Sequence, residues 1–210
     1  MASTAAFPGA QRFLPNRRTL PQLRVAAQSC RGCDLHLNAT QTVFGEGPKT
    51  ARVVLVGEQP GNEEDLQGHP FVGPAGGILD RALADAAIDR SAAYVTNVVK
   101  HFRFEERGKR RLHKKPTMAE IRACQPWFEA EMELVKPKVI VCLGATAAQA
   151  LLGSKFRLMQ ERGVPVKDRR AEFVVATIHP SAILRTPDGV DRQAAYSRFV
   201  EDLRVAQQLL

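Results

Sequence analysis

Four apolar runs of strand length recur along the chain, and helical patterns lie between and after them. The apolar runs cover residues 52–57, 93–99, 138–144 and 173–178. The helical patterns cover residues 75–87, 117–135, 145–152 and 191–210. Strands that are apolar on both faces are typical of covered parallel sheets. The alternation therefore predicts an α/β fold in which a central four-stranded parallel sheet carries helices on both faces.

Residues 1–20 show no sustained periodicity and contain Pro8, Pro15 and the Arg17-Arg18 pair. Such a segment is typical of a flexible extension. The rest of the 210-residue chain, residues 21–210, is long enough for one packed domain. A composition of 44% hydrophobic and 25% charged residues is ordinary for a soluble globular protein. We therefore expect one domain that follows a flexible N-terminal extension.

No segment approaches the run of about 20 apolar residues that a membrane helix needs. The N-terminus also lacks the apolar core of a signal peptide. These patterns predict a cytoplasmic protein without a membrane partner, and a monomer is the default expectation.

The chain carries a formal net charge of +8, and a large share of its cations lies in one stretch. The cations of this basic segment are Arg103, Arg107, Lys109, Arg110, Arg111, Lys114 and Lys115. Such clustering favours a polyanionic partner, such as a nucleic acid. The alternative is a solvated basic loop without a partner.

Polar side chains stand where three of the predicted strands end. Glu58 follows the first strand in Gly57-Glu58-Gln59-Pro60-Gly61, Asn97 closes the second, and His179 follows the fourth. Because ligands of open α/β sheets bind at the carboxyl ends of the strands, these residues predict one shared active site.

Each of these residues also has a purely structural interpretation. Glu58 could act on a ligand or cap a neighbouring helix. The amide of Asn97 offers the donor and acceptor needed to bind a nucleobase edge, but could equally satisfy a backbone turn. His179 could donate to a developing anion, although a single histidine is more often structural. Phe71 precedes a glycine-rich turn and could stack on a base or belong to the core.

The chain has four cysteines, of which Cys30 and Cys33 form a CxxC pair while Cys124 and Cys142 lie far downstream. Four thiolates could hold zinc or an iron–sulphur cluster. A redox-active CxxC pair with two buried core cysteines is equally compatible with the spacing. The spacing alone leaves all three hypotheses open.

Taken together, these segments resemble the fourth family of uracil-DNA glycosylases over residues 30–210. The resemblance rests on GEQPG, the Phe71-Val72-Gly73 turn, Asn97 in TNVVK, His179-Pro180-Ser181 with the residues after it, and the cysteine layout. It implies an αβα sandwich, the three-layer fold of the uracil-DNA glycosylase superfamily. It also implies a [4Fe-4S] cluster that is held by Cys30, Cys33, Cys124 and Cys142.

Two departures from the ordinary pattern resemble the UdgX branch of that family. The basic segment ends in Lys109-Arg110-Arg111-Leu112-His113, and Gln59 stands where most relatives have a small residue. In that branch the loop histidine replaces water as the nucleophile. The resemblance thus implies excision of uracil from DNA, single-stranded by preference, with release of free uracil and a covalent bond from His113 to the sugar C1′.

The resemblance also assigns further roles by position. The implied catalytic residues are His113, Glu58 and His179. The implied substrate contacts are Gln59, Asp65, Phe71 and Asn97. The implied DNA contacts are Lys109, Arg110, Arg111, Ser181 and Arg185, with Ile183 or Leu184 as a wedge for the gap left by the extruded base.

Two other hypotheses remain at this stage. One is a conventional family-4 glycosylase that turns over with water and releases an abasic site, in which His113 only contacts DNA. The other is a non-catalytic nucleic-acid-binding iron–sulphur protein, in which Glu58 and His179 are structural.

Overall fold

The computed structural model describes residues 7–210, and residues 1–6 of the predicted flexible extension lie outside this part of the chain. Within the rest of that extension, residues 10–13 form a short 3-10 helix in which Ala10 is buried. The amide of Gly9 donates to the carbonyl of Gly32 at 3.0 Å. The division of the chain at residue 20 stays a prediction.

The strands form one five-stranded sheet and one separate hairpin. In chain order they are β1 (Val53–Gly57), β2 (Tyr94–Asn97), β3 (Phe104–Arg107), β4 (Arg110–His113), β5 (Val139–Leu143), β6 (Val166–Asp168) and β7 (Ala171–Thr177). The sheet has the order β2-β1-β5-β7-β6, and its first four strands are parallel. The predicted four-stranded parallel sheet is therefore confirmed, with the short antiparallel strand β6 added at one edge.

Eight α-helices lie in the described part of the chain. They are α1 (Leu20–Ala27), α2 (Asn62–Gln67), α3 (Pro74–Asp85), α4 (Met118–Val135), α5 (Ala145–Leu152), α6 (Leu158–Glu161), α7 (Pro180–Arg185) and α8 (Val190–Gln208). The four predicted helices correspond to α3, α4, α5 and α8. Of the helices with eight residues or fewer, the pattern predicted α5 and missed α1, α2, α6 and α7, since so few turns give only a weak period.

The sheet separates two apolar cores, so the predicted helices on both faces are confirmed. On β1, Val54 and Val56 face a core shared with α1, α4 and α5, in which Trp127 is fully buried. Val53 and Leu55 face the opposite core, which α3, α7 and α8 complete. Because successive strand residues point to opposite faces, an unbroken apolar run fills both cores at once.

The basic segment, expected to be a loop, is the antiparallel hairpin of β3 and β4. Its strands pair Phe104 with His113 and Arg107 with Arg110. The turn has two residues, and the first of them, Gly108, adopts a positive φ of 61°. Glycine at the first central position is a frequent choice for such turns. The hairpin places His113 at its base, next to the body of the protein.

None of the described helices is both long enough and apolar enough to span a membrane. The predicted cytoplasmic location stays a prediction.

A fully buried ion pair joins the end of β2 to α4. The Lys100 ammonium group donates to the Glu131 carboxylate, and both side chains are inaccessible to solvent. Glu131 also accepts from the Tyr94 hydroxyl at 2.9 Å and from the Gly45 amide at 3.0 Å. Burial of one charge without its partner is costly, so the two residues stabilise the fold only together.

We expect Glu131→Gln to lower the free energy of unfolding by about 3–5 kcal/mol, because it leaves the Lys100 ammonium group buried without a counter-charge. Urea unfolding followed by circular dichroism measures the change. Glu133→Gln is the matched control on the same helix, since its exposed pair with Arg18 is worth at most about 1 kcal/mol. Equal losses for the two variants would contradict the role given to the buried pair.

Candidate active site

A cavity of about 820 Å³ opens at the carboxyl edge of the parallel sheet. It lies where the polar residues after β1, β2 and β7 meet, as the sequence predicts. Nine of the candidate residues line it, namely Glu58, Gln59, Phe71, Asn97, His113, His179, Ser181, Leu184 and Arg185. The lining also includes Gly144 and Thr146 after β5, which sequence reasoning did not single out.

The side chain of Asn97 is held close to the backbone of β1. Asn97 pairs in register with Gly57, and a Cβ at position 57 would lie 2.2 Å from Asn97 Oδ1. That Oδ1 atom is buried and has no hydrogen-bond partner within residues 7–210. A buried acceptor without a partner is unfavourable, so this atom is suited to accept from a bound ligand.

Phe71 occupies the cavity wall in a strained conformation. Its φ of +58° lies in the left-handed region, which is unusual for an aromatic residue. A Cβ at Gly76, in the first turn of α3, would lie 1.8 Å from the Phe71 carbonyl oxygen. The ring stacks against the His179 ring with centroids 6.0 Å apart. The close approach of α3 thus fixes an aromatic face beside the histidine.

His179 presents a defined tautomer to the cavity. The backbone N–H of Ser181 donates to His179 Nδ1 at 3.2 Å, so the ring proton resides on Nε2. Burial, together with the positive charge of Arg185, lowers the pKa of His179 to about 4. The residue is therefore a neutral hydrogen-bond donor at neutral pH.

Gln59 connects the loop after β1 to the base of the hairpin. Its Oε1 accepts from the Arg103 amide at 3.0 Å, and its Nε2 donates to the carbonyls of Arg103 at 3.1 Å and Lys114 at 3.0 Å. These contacts determine which end of the amide is nitrogen. Gln59 therefore fastens both strands of the hairpin to the cavity edge.

The hydrogen bonds of Gln59 to the hairpin base also place His113 beside Glu58 and Gln59. His113 Nε2 lies 2.9 Å from Gln59 Nε2 and 3.5 Å from Glu58 Oε1. Burial lowers the pKa of His113, the Glu58 carboxylate opposes this change, and Arg185 adds to it. The two hydrogens of Gln59 Nε2 already face the carbonyls of Arg103 and Lys114, so a neutral His113 imidazole can only share one of them, whereas an imidazolium cannot accept at all. The ring is thus suited to act as a nucleophile or base.

Asp65 and Arg111 hold the hairpin from its other side. Asp65 is fully buried outside the cavity lining, and its carboxylate accepts from Arg111 at 2.6 Å and from the Thr40 amide at 3.0 Å. Arg111 also donates to Asn62 Oδ1 at 2.8 Å and lies over the Phe104 ring. The pair therefore supports the hairpin, while the substrate contact implied for Asp65 and the DNA contact implied for Arg111 stay predictions.

The remaining basic and apolar candidates lie around the cavity mouth. Lys109 and Arg110 are exposed at the hairpin tip. Of the two wedge candidates, Ile183 is buried in the core, whereas Leu184 is exposed and lines the cavity beside Arg185. Of these two residues, only Leu184 is accessible at the cavity mouth, and its role as a wedge stays a prediction.

Sequence reasoning missed Glu64, which joins the two loops at the cavity entrance. Its carboxylate accepts from the Gly61 amide at 3.0 Å and from the Gly73 amide at 2.8 Å. The available signal was its place at the third position of α2, where an acid caps the helix. Its contact occupies the Gly73 amide, one of the N–H groups at the start of α3 that would be free for a phosphate.

All four cysteines are buried, and all four belong to the core shared with α1, α4 and α5. Burial raises the pKa of Cys33 to about 11 and that of Cys124 to about 12, and the charge of Cys30 adds to both increases. The Trp127 indole donates to Cys30 Sγ at 3.3 Å, and the Lys100 amide donates to Cys124 Sγ at 3.2 Å. Such donors are typical around the thiolates of iron–sulphur clusters.

Cys142 has different surroundings. Besides burial, Arg170 and Asp168 are the groups that shift the pKa of its thiol. Across the described residues, no three His, Cys, Asp or Glu side chains converge as ligands of a single metal ion. The ligand set of Cys30, Cys33, Cys124 and Cys142 stays a prediction.

Comparison with known proteins agrees with this arrangement of side chains. The sequence pattern of the uracil DNA glycosylase superfamily matches residues 44–204. The chain is 39% identical over 185 residues to the type-4 uracil-DNA glycosylase of Thermotoga maritima, covering 87% of this chain and 90% of that protein. It is 39% identical over 167 residues to the type-4 uracil-DNA glycosylase of Archaeoglobus fulgidus, covering 76% of this chain and 80% of that protein.

The charge of Arg185 predicts a measurable effect on the cavity histidines. Because its positive charge lowers the pKa of His179 and His113, Arg185→Gln raises both values. NMR titration of labelled histidine side chains measures the change. Arg192→Gln, which removes an arginine on α8 that acts on neither ring, is the matched control and leaves both titrations unchanged.

The pKa of His179 also determines how the stability of the protein depends on pH. The unfolded chain binds a proton at His179 below its ordinary pKa of 6.5, whereas the folded chain does so only near 4. The free energy of unfolding therefore falls as the pH drops between these values. A His179 pKa near 6.5 in the folded protein would contradict this account.

Proposed function

The chain belongs to the uracil-DNA glycosylase superfamily, and on that premise we propose that it excises uracil from DNA in the cavity at the carboxyl edge of its sheet. The observation that carries the proposal is the unpaired buried Oδ1 of Asn97 opposite the donor tautomer of His179. Together with the Phe71 ring, these groups match the two edges and the face of one pyrimidine.

Uracil complements the amide of Asn97. Its N3–H would donate to Asn97 Oδ1, and its O4 would accept from Asn97 Nδ2. Cytosine carries an amino group at position 4 and no hydrogen on N3, so it presents this pattern reversed. Binding of cytosine would leave buried polar groups unpaired, which is the strongest means of rejection that such a site has.

His179 is suited to assist the departure of the base. The target nucleotide must leave the base stack to enter the cavity, which costs least in single-stranded DNA. As the bond between C1′ and N1 breaks, its electron pair stays with uracil, and negative charge gathers on O2. The neutral Nε2–H of His179 would donate to that oxygen.

We expect His179→Ala to slow uracil release about 10²- to 10³-fold, because it removes a donor to the developing anion. Single-turnover assays on a single-stranded oligonucleotide with one uracil measure the rate. His69→Ala, which removes an exposed histidine paired with Glu46 outside the cavity, retains the wild-type rate. Equal rates for wild type and His179→Ala would exclude the assigned role.

We further propose that His113 bonds to the sugar, as the likeness of the basic segment to the UdgX branch suggests. A neutral Nε2 lone pair beside Glu58 supports this step. The lone pair would form a bond with C1′ while uracil departs as its anion. The imidazolium that results would lose the proton of its other nitrogen, and uracil would take a proton from water. The adjacent Glu58 carboxylate would stabilise the positive charge on sugar and ring.

An enzyme that carries this bond between His113 and C1′ would not be regenerated readily. The new bond joins nitrogen to an alkyl carbon, which offers water no carbonyl to attack. The ring lone pair that formed the bond is then engaged. The protein would remain attached to the DNA from which it removed uracil.

The competing candidate is a conventional glycosylase that uses water and releases an abasic site. It is favoured by the names of the two relatives, both type-4 uracil-DNA glycosylases. In that case His113 would only contact DNA. The exposed cations Lys109 and Arg110 would bind phosphates in either mechanism, with Leu184 placed at the gap in the strand.

The experiment that tests the covalent step compares wild type with His113→Ser. After incubation with a labelled single-stranded oligonucleotide containing one uracil, we expect a heat-stable, slowly migrating band on a denaturing gel for wild type only. His69→Ser serves as the matched histidine control and keeps the band. Strand cleavage after alkali without any shifted band would establish turnover with water instead. Neither a shifted band nor cleavage would leave nucleic-acid binding alone.

We also propose a [4Fe-4S] cluster held by Cys30, Cys33, Cys124 and Cys142, in keeping with the resemblance to the fourth family. The burial of all four thiols in one core supports this proposal. A bound cluster would join the segment before β1 to α4 and β5 through metal–thiolate bonds and so stabilise the part of the fold behind the cavity.

A further inference from the structure

We propose that Glu64 is a positioning residue for uracil excision, because its carboxylate fixes the separation of two segments of the cavity wall. The first segment, the β1 loop (residues 58–61), carries Glu58 and Gln59, and the second, the Phe71 turn (residues 71–73), carries the aromatic ring. Residues of both segments line the cavity together with Glu64. The inference rests on the proposed function, which places the base against Phe71 and the sugar beside Glu58.

The two oxygens of the Glu64 carboxylate bind the residues that begin two different helices. Oε2 accepts from the Gly61 N–H at 3.0 Å, and Gly61 is the N-cap of α2. Oε1 accepts from the Gly73 N–H at 2.8 Å, and Gly73 is the N-cap of α3. Hydrogen bonds to an ionised acceptor are about twice as strong as those between neutral groups. One side chain therefore joins the starts of both helices.

Both N-cap glycines leave room for this carboxylate. Their φ angles, −89° at Gly61 and −79° at Gly73, are open to any residue, so the backbone conformation does not require glycine. A Cβ at position 61 would lie 2.6 Å from Glu64 Oε2, and a Cβ at position 73 would lie 3.0 Å from Oε1. The next atoms outside the adjoining residues lie at 3.7 Å and 3.6 Å. The carboxylate is therefore the group that a side chain at either position would displace.

The contact with Gly73 bears on Phe71, which lies two residues earlier. The φ of +58° at Phe71 is strained for an aromatic residue and persists only where the surroundings impose it. The carbonyl of Gly73 accepts from the Gly76 N–H at 2.8 Å, while its own N–H donates to Glu64. Gly73 is thus held by α3 on one side and by α2 on the other, and the position of the Phe71 ring depends on both.

The contact with Gly61 fixes the far end of the β1 loop. At the near end, the Val99 N–H donates to the Glu58 carbonyl at 3.0 Å. At the far end, the Gly61 carbonyl accepts from the Asp65 N–H at 3.0 Å, and the Gly61 N–H donates to Glu64. Without the Glu64 carboxylate, the loop and α2 would lose this link to the Phe71 turn. The distance between the Phe71 ring and Glu58 would then vary.

The alternative role for Glu64 is a helix cap without influence on the cavity. An acid at the third position of a helix commonly accepts from its own N-cap, and the contact with Gly61 fits that role. The contact with Gly73 is made nine residues along the chain and belongs to α3, so it distinguishes a bridge from a cap. Glu63 provides the matched control, because this exposed acid accepts from Asn62 within α2 at 2.9 Å.

Amide hydrogen exchange, measured by NMR on the full-length protein, tests the bridge without reference to activity. We expect Glu64→Ala to speed exchange at both Gly61 and Gly73. Glu64→Gln speeds exchange at one of them, because a carboxamide has a single acceptor oxygen. Glu63→Gln leaves both rates unchanged. Unchanged exchange at Gly73 in Glu64→Ala would refute the bridge.

Single-turnover release of uracil from a single-stranded oligonucleotide tests the positioning role. We expect Glu64→Ala to slow release about 10²-fold, since a misplacement of about 1 Å has a cost of that order. Binding of the same oligonucleotide without uracil stays at the wild-type dissociation constant, and Glu63→Gln releases uracil at the wild-type rate. Faster exchange at Gly73 with a wild-type rate of release in Glu64→Ala would reduce Glu64 to a cap.

A double-mutant cycle with Gly73→Ala gives an independent test that retains the carboxylate. We expect Gly73→Ala to slow release in the wild-type background, because its Cβ displaces Glu64 Oε1. In the Glu64→Ala background the same change has no further effect, since the group that it would displace is absent. Equal losses in the two backgrounds would overturn the link between this glycine and the carboxylate.

Failure of this role is distinguishable from failure of the proposed function. A folded wild-type protein that releases no uracil would reject both the glycosylase and the positioning role. Release by wild type at a rate that Glu64→Ala retains would reject only the positioning role.

Discussion

The pairing of Gly57 with Asn97 at the carboxyl end of the parallel sheet is the constraint on which the site depends. Parallel strands in register bring the two backbones together, and only a residue without a Cβ leaves room for the Asn97 side chain. The close approach keeps Oδ1 buried and unpaired, so the fold maintains an unsatisfied acceptor where a ligand can satisfy it. Phe71 and His179 complete the surface around this atom.

The hairpin is an addition to this edge, and its attachment explains why a surface histidine has a defined position. Gln59 binds the backbone on both sides of the hairpin base, and Asp65 binds Arg111 near its middle. The first contact is made by neutral groups and the second by a buried charge pair, which is strongly directional. His113 is consequently held beside Glu58 although half of its side chain is exposed.

Lys100 links the cysteine region to the base-binding asparagine. Its ammonium group donates to the Asn97 carbonyl at 2.8 Å and to Glu131, while its backbone N–H donates to Cys124. Order around the cysteines therefore contributes to the position of Asn97.

The sequence by itself determined the four parallel strands and the residues at their ends, because a strand that is buried on both faces needs an unbroken run of apolar residues. It also indicated nine candidate residues that line the cavity, among them those at the strand ends, which converge wherever such a sheet forms. Only the tertiary structure decided the partners of individual side chains. Arg111 turns inward because Asp65, 46 residues away, is buried beside it. Cys142, on β5, lies in the same core as Cys30, Cys33 and Cys124, and spacing along a chain carries no information about such proximity.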